Sequence, residues 1–244
     1  MMNMIQACGV VAKNRTEDNL LVATMGAMFI FDFIEGQSGQ AKFVPLFGGK
    51  VGLLAGVVAG KVVKKIGQVM DGNAQGASAV APRINSVPLM GGAAGLGLGL
   101  AISQPSKKVV VVDGDASLLM ELSGLVTVAR QRPENFVHIV IHNGTQFTGL
   151  ANTASPAPDF NFAEAARIAG YVHTETISDA DTWALRYPAL LAMPGPVFVQ
   201  LTVAPVPQQT KPGFEQQELP VNQYDRMGQE ATALQAWFKH KDLI

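Results

Sequence analysis

The feature that most constrains the fold is the run VVVVDGDASLLMEL at residues 109–122. Four consecutive valines are typical of a strand that is buried on both faces, as in parallel sheets covered by helices. An Asp-Gly-Asp triplet follows directly, and apolar residues then recur from 117 to 130 with the period of a helix. The run therefore predicts a buried strand (108–113) that ends in a carboxylate-bearing turn and leads into a helix.

The rest of the chain continues this alternation. Further strands are predicted at residues 19–24, 136–141, 171–174 and 197–203, and further helices at 91–103, 162–169 and 178–193, the last with Ser178 as its N-cap. Strands that alternate with helices indicate an α/β fold, here a doubly wound, mostly parallel sheet with helices on both faces. Such sheets bind ligands beyond the carboxyl ends of their strands, and we expect the functional site there.

Composition narrows the classes of function. With 48% hydrophobic residues, 15% charged residues and a net charge of −1, the 244-residue chain supports a large core and gives no indication of a nucleic-acid partner. The single cysteine, Cys8, excludes an internal disulfide, a zinc–thiolate site and an iron–sulfur cluster, and it favours a reducing, cytoplasmic location. The first residues lack the pattern of a signal peptide. The uncharged run at 51–60 is about half of a membrane span, so no span is expected.

The chain is predicted to contain one main domain and a tail. Residues 1–204 form the main domain, which is interrupted at about 41–83 by an inserted segment rich in Gly, Ala and Val. We interpret this segment as a helical hairpin or subunit contact rather than a membrane-surface helix, because its centre has no aromatic anchor. Residues 205–244 are predicted as an extended proline-rich arm and a short helix at 230–239. Leu234, Trp237 and Phe238 of that helix could dock on a neighbour.

Two predicted strand ends carry oxygen ligands. Asp115 follows the valine strand, and the free backbone N–H groups at the start of the next helix favour an anion, above all a phosphate. A carboxylate repels a phosphate unless a cation lies between them, and Mg²⁺ shares its oxygen ligands with phosphates. Asn143 follows the next strand, and Gly144 permits a sharp turn that lets the Thr145 carbonyl face the same ion. The two strand ends therefore predict a magnesium diphosphate site.

The pair of motifs resembles a known one. Gly114-Asp115-Ala116, followed by Asn143 at the end of the next strand, resembles the thiamine diphosphate-binding motif. The resemblance implies thiamine diphosphate and Mg²⁺ as cofactors, with the metal held by Asp115, the Asn143 side chain and the Thr145 carbonyl.

Neighbouring stretches extend the resemblance. The upstream sequence PLMGGAAGLGLGLAIS is similar to the same cofactor-binding domain and implies that Met90 wedges between the two rings of the cofactor. The loop at 24–27 resembles one that touches the diphosphate. Together these matches imply cofactor contacts from Gly26, Met90, Gly91, Gly114, Asp115, Ala116, Ser117, Asn143, Thr145 and Gln146.

Two positions depart from the motif. Ala116 stands where Gly is usual, which requires a negative φ. His142 stands where Asn is usual, and it is either a strand-end residue near the cofactor or a proton donor. Asp113 and His138 are expected to be structural.

The resemblance is strongest to the small β-type subunits of sulfopyruvate and phosphonopyruvate decarboxylases. It implies a non-oxidative 2-oxo acid decarboxylase whose activating glutamate lies on a separate pyrimidine-binding domain. We therefore expect an α-type partner subunit and self-association into a hetero-oligomer. A carboligase subunit of the acetolactate synthase type and a non-catalytic module with the same fold remain alternatives. The distal anion of such a substrate needs a cationic pocket, which Arg83, Arg130, Lys13 or the partner subunit could supply.

Overall fold

The computed structural model describes residues 1–34, 82–147, 152–205, 220–241 and 243. The predicted insertion at about 41–83 and the predicted arm at 205–220 lie outside the described residues except at their borders. The division into a main domain and a tail therefore stays a prediction.

Strands and helices alternate along the described chain. The strands are β1 (Asn19–Thr24), β2 (Arg83–Val87), β3 (Lys108–Gly114), β4 (Phe136–His142), β5 (Thr145–Phe147), β6 (Asn152–Ala154), β7 (His173–Ile177) and β8 (Val197–Thr202). The helices are α1 (Met4–Lys13), α2 (Met25–Ile34), α3 (Gly92–Ser103), α4 (Asp115–Met120), α5 (Gly124–Gln131), α6 (Phe162–Ala169), α7 (Ala180–Ala192) and α8 (Pro220–His240).

Six strands form one parallel sheet in the order β2-β1-β3-β4-β8-β7, and this confirms the predicted α/β fold. Every residue of β1 and β4 is buried, because helices cover both faces. One core cluster joins the sheet to α1, α2 and α7, and the other joins it to α3, α4, α5, α6 and α8. Because the strands are parallel, the carboxyl ends of β3 and β4 lie side by side at one edge of the sheet.

The glycine-rich helix α3 packs closely on the sheet, as its small residues predict. A Cβ added to Gly97 would overlap a Val111 methyl group and lie 3.1 Å from the Phe136 ring. Gly95 and Gly99 have nothing within 4 Å of such a Cβ. The close approach of helix and strand therefore depends on one glycine of the series.

The predicted helix at 117–130 was wrong, because α4 and α5 are separate helices joined by a turn. Ser123 and Gly124 both weaken a helix interior, and the Ser123 hydroxyl donates to the Glu121 carboxylate within that turn. The first helix also begins earlier than predicted, at Asp115.

Two other boundaries differ from the prediction. Strand β7 spans His173–Ile177 instead of 171–174, because the Tyr171 N–H still bonds the Ala166 carbonyl and closes the end of α6. The N-cap of α7 is Asp179 rather than Ser178, since the Asp179 carboxylate accepts the Thr182 N–H. A carboxylate there also faces the positive end of the helix.

The last helix is longer than the predicted segment at 230–239. Helix α8 packs against β2, and Leu234 and Phe238 are buried in the core of the same chain rather than left for another protein. The Glu230 carboxylate accepts the Asn85 N–H at 2.7 Å, which satisfies a backbone donor of this edge strand. Among the described helices, none has the length and apolarity that crossing a membrane requires.

Candidate metal and cofactor site

Asp115 connects the ends of two neighbouring strands. It is the first residue of α4 and is only 1% exposed. Its Oδ1 accepts the Ala116 N–H at 2.9 Å, and its Oδ2 accepts the Gly144 N–H at 2.8 Å. The turn after β3 and the loop after β4 are thereby joined through one carboxylate.

Burial raises the pKa of Asp115 above its usual value, although bonds from the Ala116 and Gly144 N–H groups and the nearby His142 oppose the shift. Burial disfavours the charged form of a carboxyl group, and a cation beside the group offsets that cost. The buried carboxylate is therefore a suitable partner for a metal ion.

The loop after β4 presents the second set of oxygens. The Asn143 Oδ1 accepts the Thr145 N–H at 2.8 Å and the Thr145 hydroxyl at 2.9 Å. Gly144 has a φ of +68°, which L side chains rarely adopt, so glycine suits this turn. The Ser155 N–H bonds the Gly144 carbonyl at 2.8 Å and ties the loop to the segment after β6. Asn143 and Thr145 are thus held close to the loop residue that contacts Asp115.

The start of α3 reaches the same corner. Gly91 has a φ of +88°, and its N–H donates to the Ser117 hydroxyl oxygen at 2.9 Å. A Cβ at position 91 would lie 2.5 Å from the Glu121 Cβ, so the backbone passes too close to α4 for a side chain. Met90, partly buried, immediately precedes this contact. The structure therefore brings the predicted Met90-Gly91 segment against the Asp115 helix.

The other residues predicted to contact the cofactor lie in several different elements. Gly114 ends β3, and Ala116 lies in α4 with the negative φ that a side chain needs. Gln146 is in the short hairpin of β5 and β6, where its carbonyl accepts the Thr153 hydroxyl at 3.3 Å. The predicted loop around Gly26 is wrong, because α2 begins at Met25 and places Gly26 in its first turn.

The His142 ring lies among residues from three other elements. Its Nδ1 lies 3.0 Å from the Gln200 Nε2, its Nε2 lies 3.9 Å from the Asp115 Oδ2, and its ring contacts Phe162 edge-on. Sequence reasoning missed Gln200. The signal for it was a polar residue inside the apolar strand VFVQLTV, beside the strand that carries His142.

The cations predicted for the substrate anion lie at the wrong end of the sheet. Lys13 ends α1 and Arg130 lies in the last turn of α5, and both helices lead into the amino ends of strands. Arg83 is the first residue of β2. In a parallel sheet these positions are remote from the carboxyl edge, so we discard them as ligands of the substrate anion.

The donor set fits a hard divalent ion. Within the described parts of the chain, no group of three or more His, Cys, Asp and Glu residues could hold a metal. A metal at this corner therefore needs amide and carbonyl oxygens besides the Asp115 carboxylate. Mg²⁺ accepts such a mixed oxygen set and completes it with water or phosphate oxygens.

Comparison with known families shows the family of this chain. The sequence profile described as thiamine pyrophosphate enzyme, C-terminal TPP binding domain, matches residues 68–201, more than half of the chain. The chain belongs to this family. Thiamine pyrophosphate, another name for thiamine diphosphate, is therefore its cofactor.

Curated relatives of this thiamine pyrophosphate-binding chain include two kinds of decarboxylase. Phosphonopyruvate decarboxylase of Streptomyces viridochromogenes is 41% identical over 120 residues, which are 49% of this chain and 30% of the relative. Sulfopyruvate decarboxylase subunit beta of Methanothermobacter thermautotrophicus is 40% identical over 116 residues, which are 48% of this chain and 59% of the relative. The matched stretch thus spans about a third to three fifths of the relatives' own length.

A solved structure has the same fold. It is that of an enzyme assigned as thiamin diphosphate-dependent from Mycobacterium smegmatis, with a TM-score of 0.51 and 15% identity. The match covers 84% of this chain and 32% of that one. At this identity the likeness bears on the fold alone.

Proposed function

We propose that this chain binds thiamine pyrophosphate through Mg²⁺ and is the diphosphate-binding subunit of a non-oxidative 2-oxo acid decarboxylase of the sulfopyruvate or phosphonopyruvate type. The observation that carries the proposal is the buried Asp115 carboxylate, which joins the end of β3 to the loop after β4. The decarboxylases among the relatives support the reaction class.

The Asp115 carboxylate, the Asn143 Oδ1 and the Thr145 carbonyl are the proposed metal ligands. Asn143 Oδ1 already accepts two hydrogen bonds from Thr145. The bond from the Thr145 N–H is part of the turn, whereas the hydroxyl can rotate away. Rotation of the hydroxyl would free the Asn143 Oδ1 to bind the metal. The remaining coordination positions fall to the diphosphate and water.

The first residues of α4 are proposed to face the diphosphate. Bound thiamine pyrophosphate supplies the electron sink for loss of CO₂, and the protein's part is to bind and orient it. Gly91, which follows Met90 directly, lets the chain pass close to α4. Met90 is the proposed support for the bent form of the cofactor.

A separate α-type subunit is proposed to provide the pyrimidine-binding domain with the activating glutamate. Support comes from relatives that are named as subunit beta, in Methanothermobacter and in Methanocaldococcus jannaschii. Self-association and a cytoplasmic location belong to the same proposal. The buried, unpaired Cys8, whose pKa burial raises to about 12, fits a reducing compartment.

Calorimetry tests the binding part. Thiamine pyrophosphate is titrated into the chain with and without Mg²⁺, using the wild type, Asp115→Ala and Asp181→Ala, a change of an exposed carboxylate on α7. We expect Mg²⁺-dependent binding in the wild type and Asp181→Ala and none in Asp115→Ala. Equal binding by Asp115→Ala would contradict the metal site.

Product analysis tests the reaction. CO₂ release from sulfopyruvate and phosphonopyruvate is measured for the chain alone and for the chain isolated from its own cells with the subunit that accompanies it. We expect turnover only in the assembly. Full activity of the chain alone would refute the need for a partner, and formation of acetolactate from pyruvate would favour the carboligase alternative.

A further inference from the structure

Hydrogen bonds connect a series of groups next to the loop that follows β4, which carries the proposed metal ligands Asn143 and Thr145 and is called the metal loop below. The Ala163 N–H donates to the Gln200 Oε1 at 3.2 Å. The Nε2 of the same Gln200 side chain lies 3.0 Å from the His142 Nδ1. Gln200 is 6% exposed and His142 is 9% exposed. The other ring nitrogen of His142 lies 3.9 Å from the Asp115 Oδ2. Three elements, α6, β8 and β4, thus meet behind the proposed metal ligand.

The direction of these bonds follows from elementary chemistry. A backbone N–H can only donate, so the Gln200 atom facing Ala163 is the carbonyl oxygen and the atom facing His142 is the NH₂ group. An NH₂ group donates, so the His142 Nδ1 must be the unprotonated, accepting nitrogen. A neutral His142 then carries its proton on Nε2, which is the nitrogen that faces Asp115.

A second series with the same order contains another histidine of β4, His138. The Tyr171 hydroxyl is 3.2 Å from the His138 Nδ1, and the His138 Nε2 is 3.7 Å from the Asp113 Oδ2. Burial, with the Asp113 charge, raises the pKa of Tyr171, so its hydroxyl keeps its proton and is able to donate. In both series a polar group faces the Nδ1 of a histidine and an aspartate faces its Nε2. Asp113 in turn accepts the Gly114 N–H, which precedes Asp115.

We propose that Gln200 is a positioning residue that holds His142 in the Nε2–H tautomer, so that the ring orients the Asp115 carboxylate toward the metal. This inference rests on the proposed function for the identity of the metal site. The 3.9 Å separation is too long for a hydrogen bond, so the ring acts through the attraction between its N–H dipole and the carboxylate. Residues behind a metal ligand commonly change metal affinity about 10- to 100-fold when they are replaced.

Nuclear magnetic resonance tests the tautomer directly. Long-range ¹H–¹⁵N spectra of the full chain distinguish a protonated from an unprotonated ring nitrogen, and His142→Gln assigns the signal of His142. We expect an unprotonated Nδ1 and a protonated Nε2. A protonated Nδ1 in the wild type would overturn the proposal without any further variant.

Metal binding tests the consequence. Mg²⁺ is titrated calorimetrically into the chain with saturating thiamine pyrophosphate, using the wild type, Gln200→Leu and Tyr171→Phe. We expect Gln200→Leu to lose the single tautomer of His142 and to bind Mg²⁺ about 10- to 100-fold more weakly. Tyr171→Phe removes the hydroxyl that faces His138 Nδ1 in the second series, so it should alter the His138 signal and leave the His142 tautomer and the Mg²⁺ affinity as in the wild type.

The outcomes separate the two proposals. If the wild type binds Mg²⁺ and Gln200→Leu binds it equally well, the positioning role is refuted and the proposed function stands. If the wild type shows no Mg²⁺-dependent binding, the metal site itself is refuted, whatever the tautomer of His142.

Discussion

Replacing Gly97 with Ala tests how closely α3 must approach the sheet. Gly95, Gly97 and Gly99 lie in the same helix, and Ala at each gains about 1 kcal/mol of helix propensity over Gly. Only at Gly97 would the new Cβ meet other atoms, namely Val111 Cγ2 and, at 3.1 Å, Phe136 Cε2. Both side chains are fully buried, so the helix must shift outward or the core must rearrange.

The expected magnitude follows from these contacts. Extra methyl groups in a well-packed core cost about 1–3 kcal/mol. Since the propensity gain is common to the three variants, Gly97→Ala should be about 1–3 kcal/mol less stable than Gly95→Ala or Gly99→Ala. Relative to the wild type, the two controls should gain about 1 kcal/mol each, while Gly97→Ala should gain nothing or lose up to about 2 kcal/mol.

Equilibrium unfolding in urea, followed by circular dichroism, measures these differences. An unchanged slope with a shifted midpoint shows that the variants differ in stability and not in the unfolded state. Thermal unfolding should agree, with a shift of about 2–4 °C per kcal/mol for a chain of this size. If Gly97→Ala is as stable as Gly95→Ala, the close contact between α3 and β3 does not require glycine, and the reasoning is refuted.

Three further predictions concern the site and the sheet edge. Burial raises the pKa of Asp115 in the folded protein above its value in the unfolded chain. Protonated Asp115 therefore favours the folded state at low pH, and this contribution to stability is lost as pH rises through the folded pKa. The metal-free wild type should therefore gain melting temperature relative to Asp115→Asn as pH falls through the folded pKa of Asp115; a constant difference at all pH values would contradict this. Gly91→Ala must adopt a left-handed φ, which costs about 1–2 kcal/mol, and must displace Glu121, so calorimetry should show weaker Mg²⁺-dependent cofactor binding, whereas Gly95→Ala should bind normally. Glu230→Ala removes the acceptor of the Asn85 N–H and should cost about 1–3 kcal/mol in urea unfolding, with faster hydrogen exchange at that amide. Glu230→Gln keeps an acceptor oxygen and should lose less; an equal loss would assign the effect to the charge.

The central strands, and the meeting of Asp115 with the loop after β4, could be predicted from the sequence because their signals are local. The run at 20–23 is apolar throughout, and β1 has the predicted bounds of 19–24 in the structure. The segment at 162–169 was also predicted to its ends, and there the Asn161 side chain caps the first turn and Gly170 ends the helix at a φ of +110°. Asp115 follows one strand directly and Asn143 follows the next strand along the chain. Because parallel strands run in the same direction, these two residues come to the same end of the sheet.

Elements at the edges of the sheet could not be predicted in the same way. Strand β2 has only five residues and owes its place to pairing with β1 and contact with α8, both distant in sequence. The sequence alone also left three cations as candidates for the substrate anion. Only the direction of each helix relative to the sheet shows that Lys13, Arg130 and Arg83 lie away from the site.

The contacts behind the metal loop were decided by the tertiary structure alone. His142 and Gln200 are 58 positions apart and meet because β4 pairs with β8 in a register that sets His142 opposite Thr202 and Val140 opposite Gln200. Side-chain periodicity tells which face of a strand is buried, but not which strand becomes its neighbour. The sequence by itself thus determined the fold class and the ligands proposed for the metal. The order of the strands determined what lies behind those ligands, because it depends on how the whole chain packs.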